Sequence, residues 1–146
     1  MRRTNRWIHG VLLVAAIALA GCSPAANAAP PAAVTVTKIE GSDLKLLTLT
    51  AEAAKRLDIQ TQEVTKAPPG RVGTVVPYSA LLYDLEGNTW VYTNPQGLDF
   101  VRAAVTVDRI EGGAVFLSDG PPVGTRVVTV GVSEFHGVEA GVGGGH

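Results

Sequence analysis

The residues able to do chemistry are few and scattered. Cys22 is the only thiol in the 146-residue chain, so no internal disulfide forms and its nucleophilic sulfur stands alone. The histidines are His9, His136 and His146, and the single methionine is Met1. A zinc or copper site takes three or four His, Cys or Met-type ligands. His136 and His146 would offer a metal only a weak hold in a tail, and the plainer reading of both is a surface or terminal residue. The carboxylates Asp84, Glu86, Asp108, Glu111 and Asp119 sit in turn-like stretches. As a general acid and base they would need opposed geometry and tuned acidity, whereas as turn residues they need only local hydrogen bonds. Ser79 has no histidine placed to act as its base. No P-loop or GxGxxG occurs, and Gly143-Gly144-Gly145 lacks the following helix that would make a phosphate site. Trp90 and Tyr92 share one face of a strand, as a binding platform or, more simply, as packing. The expectation is a protein that is not an enzyme and carries no cofactor or metal.

The surroundings of Cys22 give its thiol a role. Met1 to His9 carries three arginines, Arg2, Arg3 and Arg6, as in the charged start of an export signal. Val11 to Ala20 (VLLVAAIALA) is an unbroken apolar run, about half the roughly 20 residues that a membrane-spanning helix needs. The run ends in Leu19-Ala20-Gly21-Cys22, which resembles the lipobox of bacterial lipoproteins. That resemblance implies cleavage between Gly21 and Cys22 and a thioether-linked diacylglycerol on Cys22, with acyl chains such as palmitate. The alternative is a plain secretory signal cleaved elsewhere, for example after Ala26 or Ala29. One acyl chain binds a membrane marginally, whereas a second adds roughly 0.8 kcal/mol per buried CH₂ and makes the anchor durable. Ser23 follows the cysteine, which in an organism with an outer membrane resembles the signal for sorting there. The expected location is the cell envelope, lipid-anchored on its extracytoplasmic face.

The elements that must carry any function lie downstream. Residues 1–21 read as the signal peptide and 22–40 as a tether, whose Pro/Ala-rich part, Ser23 to Ala33, has no charge and no periodicity. Eleven such residues reach at most about 35–40 Å. Residues 41–138 read as a β-rich domain and 139–146 as a flexible, Gly-rich tail. Without the leader's three arginines, nine basic residues face 13 acidic ones, a net charge of −4. A mildly acidic body argues against nucleic acid, whose binding rests on phosphate neutralisation. Aromatics are only 5%, with 17 glycines and nine prolines, which suits short strands joined by turns.

Val34 to Ile39 alternates weakly, and Leu44 to Leu49 reads as a strand. Thr50 caps a short helix over Ala51 to Leu57, with Glu52 in its first turn and Lys55 and Arg56 in its last, complementing the helix dipole. Extended runs follow at Ile59 to Thr65 and Val72 to Val76. Ala80 to Tyr83 and Thr89 to Thr93 flank the connection Asp84 to Asn88, and Asn94 to Gly97 reads as a further turn. Val101, Ala103, Val105 and Val107 alternate with polar residues in what reads as one strand. Ala114 to Leu117 and Arg126 to Val130 complete the set. The fold class expected is mainly β, a small antiparallel domain with one short α-helix.

The order of these residues carries a further resemblance. Val76-Pro77-Tyr78-Ser79-Ala80-Leu81, then Trp90-Val91-Tyr92, then Phe100-Val101-Arg102, then Gly120, Gly124, Val127-Val128 and Gly131 follow one another. This resembles the membrane-proximal β domain of periplasmic adaptor subunits, the membrane fusion proteins of RND-type efflux pumps. Leu47 to Thr65 is similar to the family's entry segment. The resemblance implies that Pro77, Ala80, Leu81, Val91, Tyr92, Phe100, Arg102, Gly120, Gly124, Val127, Val128 and Gly131 build that domain. Three features depart from the family: Gly120-Pro121-Pro122 replaces a Gly-Leu, Gly124-Thr125-Arg126 replaces a Gly-Asp-Arg, and Thr65 and Pro77 are separated by only eleven residues where a full adaptor carries its lipoyl halves and α-hairpin. The function this implies is a reduced, lipid-anchored adaptor in transmembrane transport, acting through protein–protein contacts, with an RND or ABC transporter subunit as partner. The alternative is a free-standing envelope lipoprotein that binds or senses a ligand.

Overall fold

The computed structural model describes residues 32–142. Among them the chain forms β1 (Val34–Lys38), β2 (Lys45–Leu49), α1 (Ala51–Arg56), β3 (Gln60–Glu63), β4 (Thr65–Lys66) and β5 (Thr74–Pro77). It continues through a 3-10 turn (Tyr78–Ala80) to β6 (Leu82–Tyr83), β7 (Thr89–Gln96), β8 (Asp99–Ala104), β9 (Thr106–Glu111), β10 (Ala114–Asp119), β11 (Arg126–Val130) and α2 (Val132–Glu139). Every strand pairing is antiparallel. The larger sheet runs β1-β2-β8-β7-β11-β3 with β6 on β7, and the smaller runs β4-β5-β10-β9. The domain is mainly antiparallel β, with the short helix α1 where the sequence puts it.

The period-two alternation of strands sorts side chains into two cores. On β7 Val91 faces one and Tyr92 the other, and on β11 Val127 and Val128 divide in the same way. The first core lies between the sheets: Val64, Val76, Ala80, Val91, Val105, Val115, Leu117 and Val127. The second lies under the helices: Leu47, Leu49, Tyr92, Phe100, Val128 and Phe135, with Ala54 of α1 and Val132 and Val138 of α2 packed against it. The chain changes sheets at Val64, between β3 and β4, and at Val105, between β8 and β9, and both residues are buried. The single strand expected over Val101 to Val107 is therefore two strands in different sheets.

Local chemistry explains the ends of α1. The Thr50 side chain accepts the Ala53 amide at 3.2 Å, with Glu52 in the first turn and Lys55 and Arg56 in the last. Other expectations are corrected. Val34–Lys38 is paired residue by residue with Lys45–Leu49, so the ordered body begins before residue 41 and the tether ends by Ala33. Asn94 to Gln96 belongs to β7 rather than to a turn; the ladder with β8 shifts register between Thr93 and Gln96, an irregularity that accommodates Pro95 without an amide donor. Asp108 and Glu111 lie on β9 and not in a turn. The segment after Ser133 forms α2, an additional helix, and Glu139 is buried in the body instead of belonging to a flexible tail. Gly131 caps this helix at φ +101°, a left-handed conformation that strains any residue with a side chain.

Candidate functional site

A buried polar cluster forms where α2 meets the larger sheet. Cross-strand pairing sets Tyr92 of β7 opposite Arg102 of β8, and Trp90 lies two residues before Tyr92 on the same face. Glu139, in the last turn of α2, reaches down to both partners. The Tyr92 hydroxyl donates to Glu139 Oε2 at 2.6 Å. Arg102 Nε lies 3.1 Å from Glu139 Oε1, an ion pair that is not aligned as a hydrogen bond. The Arg102 guanidinium carbon stands 4.3 Å from the Trp90 ring centroid, a cation–π stack. Lys45 Nζ donates to the Glu139 backbone carbonyl at 2.6 Å, which covers an otherwise free helix-end acceptor.

Glu139 is 6% exposed and Tyr92 fully enclosed, so these contacts act with little screening by water. Burial pushes the Tyr92 phenol far above its ordinary range; its hydrogen bond to Glu139 and the charge of that carboxylate push the same way, against a smaller opposing effect of Arg102. A cavity of about 260 Å³ opens beside the cluster, lined by Asp43, Lys45, Arg102, His136, Glu139 and Ala140. Chemically the arrangement is a latch. One carboxylate is held by a phenol and a guanidinium, and the helix carrying it is fixed by a lysine.

A second polar feature adjoins it. Asp84 begins the connection between β6 and β7. Its carboxylate accepts the amides of Glu86 at 3.0 Å and Asn88 at 2.7 Å, the Asn88 side chain at 2.9 Å and the Trp90 indole at 2.9 Å. Desolvation raises its pKa, but these hydrogen bonds outweigh that and hold it at about 2. The loop so braced presents Leu85 almost wholly to solvent. On the smaller sheet Arg71 meets Glu111 at 2.8 Å and lies 4.7 Å from the Phe116 ring centroid. The hydrogen bond from Arg71, then its charge, lowers the Glu111 pKa.

The structure gathers the twelve adaptor-like positions into one body, most of them in its cores. Val91 and Val127 are completely buried with Ala80 in the core between the sheets, where Leu81 packs at the margin; Tyr92, Phe100 and Val128 build the other. Pro77 ends β5 and pairs with Ala114. Gly120 packs so closely on Val105 and Leu117 that a Cβ would lie 3.1 Å and 3.2 Å from their side chains. Gly124 turns the chain into β11 at φ +87°. Two of the twelve, Tyr92 and Arg102, join the polar cluster. Cys22, Gly21 and His146 lie outside the described residues. The sequence reading missed Glu139 and Lys45. The available signal was a lone carboxylate in the otherwise apolar Gly137-Val138-Glu139-Ala140. Among the described residues no three His, Cys, Asp or Glu side chains stand close enough to hold a metal ion, and no helix is long and apolar enough to cross a membrane.

No protein-family model, curated protein or solved structure matches the chain.

Proposed function

We propose that this chain is a lipid-anchored envelope protein whose β body works through protein–protein contacts, in the manner of a reduced periplasmic adaptor for a membrane transporter. The observation that carries the reading is Leu19-Ala20-Gly21-Cys22 closing an apolar run too short to span a bilayer. The order of the adaptor-like residues supports the transporter partner. Leu85 on its braced loop, Val72, Tyr78 and Tyr83 stand exposed on the surface. Replacing Cys22 with Ser is expected to move the protein from the membrane fraction to the soluble fraction. Cross-linking of the lipidated form in its own host should capture an RND or ABC transporter subunit. A Cys22→Ser chain that still sediments with membranes contradicts the anchor, and a capture free of transporter subunits contradicts the partner.

A second reading, a ligand-binding lipoprotein, draws on the cavity beside Lys45 and Arg102. At about 260 Å³ it falls below the roughly 300–1,000 Å³ of sites for drug-sized ligands, and it therefore stands second. A small anion that raises the melting temperature by mass action, and fails to do so in Lys45→Ala, would favour it.

A further inference from the structure

The strands at the sheet edges differ in how they are protected from pairing with another chain, and β6, which branches from β7, is only two residues long. β4 is only two residues long. β9 carries Asp108, Arg109 and Glu111 and a ladder with two register shifts. β3 is Gln60-Thr61-Gln62-Glu63, with a register shift against β11. Charges, short length and irregular ladders are the usual means by which edges avoid aggregation. β1 has none of them until its last residue: Val34-Thr35-Val36-Thr37-Lys38 runs in unbroken register against β2.

Its free side can be read residue by residue. Thr50 N–H donates to the Ala33 carbonyl at 3.0 Å and Ile39 N–H to the Leu44 carbonyl at 3.1 Å. In an antiparallel ladder this parity turns the backbone groups of residues 33, 35, 37 and 39 toward β2. Those of Val34, Val36 and Lys38 point outward, and among the described residues no strand pairs with them. Three amides and three carbonyls therefore stand in a row. On the same strand Val36 leaves 42% of its surface in water.

We propose that β1 pairs with β1 of a second copy, antiparallel about a two-fold axis through Val36. In that register Val36 faces Val36 and Val34 faces Lys38, and all three outward residues of each strand become hydrogen-bonded. The two half-exposed Val36 side chains close on each other, and no charge meets a like charge. The chain's own tether is a poor occupant, because Pro24, Pro30 and Pro31 have no amide hydrogen to give. A five-residue strand pair is small beside the roughly 1,200–2,000 Å² of stable interfaces. Its population then depends on confinement to one membrane, which raises the effective concentration. To that extent the inference rests on the lipid-anchor reading.

The test uses the full chain in membranes, with Val36→Cys compared against Val123→Cys, a turn position that is similarly exposed. Mild oxidation is expected to give several-fold more disulfide-linked dimer for Val36→Cys; equal yields overturn the proposal. Val36→Pro removes an amide that points away from β2, so it spares the internal ladder while blocking the pair. In membranes, energy transfer between copies carrying C-terminal donor and acceptor labels should be higher for the wild type than for Val36→Pro, with unchanged circular dichroism. Equal transfer overturns the proposal. An unmodified Cys22 thiol would instead cross-link the wild type and Val123→Cys alike. That result defeats the anchor reading separately from the edge pairing.

Discussion

Val127 and Val128 are neighbours on β11, yet they enter cores built on different terms. Val127 faces the smaller sheet, among residues that are all aliphatic, five of the seven companions being valines. Val128 faces the helices, among Tyr92, Phe100 and Phe135, whose rings stack with centroids 4.6 Å apart for Phe100 and Phe135 and 5.3 Å for Tyr92 and Phe135. The inter-sheet core is non-directional: burial of apolar area holds it, with backbone ladders on both sides. The helix-side core must hold an eight-residue helix that contains Gly137. So short a helix does not persist alone in water, and an internal glycine costs it about 1 kcal/mol against alanine. Its position depends on one aromatic plug and one carboxylate latch. The difference teaches that directional contacts appear where local propensity is weakest.

That contrast can be broken most severely at the plug. Phe135→Ala should destabilise the domain by about 3–5 kcal/mol and release amide protection in α2 before the rest, as read by hydrogen exchange. Uniform loss of protection across both sheets would mean that the two cores are one cooperative unit. Next comes the latch. Glu139→Leu leaves Arg102 and the Tyr92 hydroxyl without their partner, at a cost of about 3 kcal/mol in urea denaturation. Making the whole cluster apolar, with Tyr92→Phe and Arg102→Met added, should recover most of that loss. If the triple variant is no more stable than Glu139→Leu, the loss comes from the polar contacts themselves and not from a charge left unpaired.

Val127→Ala probes the other core. Loss of its buried methyl groups should cost about 2 kcal/mol and leave α2 protection no weaker than that of the sheets. The smallest effect is on the alkaline limb. The folded-state pKa of Tyr92 is raised above its ordinary value of 10.0, so the folded chain keeps the phenolic proton while the unfolded chain loses it. The stability from this source is complete below pH 10 and declines as pH rises further. In Tyr92→Phe that decline should disappear, whereas Val127→Ala should retain it. Melting temperatures between pH 8 and about 11 decide the matter.

The parts of this molecule readable in advance were those governed by local rules. Thr50, Glu52, Lys55 and Arg56 announce α1 because capping and dipole effects act within one turn. Most strands follow from alternation of Val with polar residues. The switch at Val105 was not legible, because alternation continues through it while the chain leaves one sheet for the other. Nor was α2: Gly137 and the glycines after it weaken the helical pattern, and Phe135 earns its place only through Tyr92 and Phe100, distant in sequence. Glu139 and Lys45 lie 94 residues apart, so no spacing rule connects them. The adaptor-like positions, legible as a sequence pattern, coincide mainly with core and turn positions rather than with the polar cluster.

The central claim rests on the sulfur of Cys22, and the mass of the mature N-terminal peptide tests it most directly. For protein extracted from membranes, mass spectrometry should find a chain beginning at Cys22 that carries a thioether-linked diacylglycerol. An unmodified peptide beginning after Ala26 or Ala29, or one that still contains a free Cys22, would contradict it.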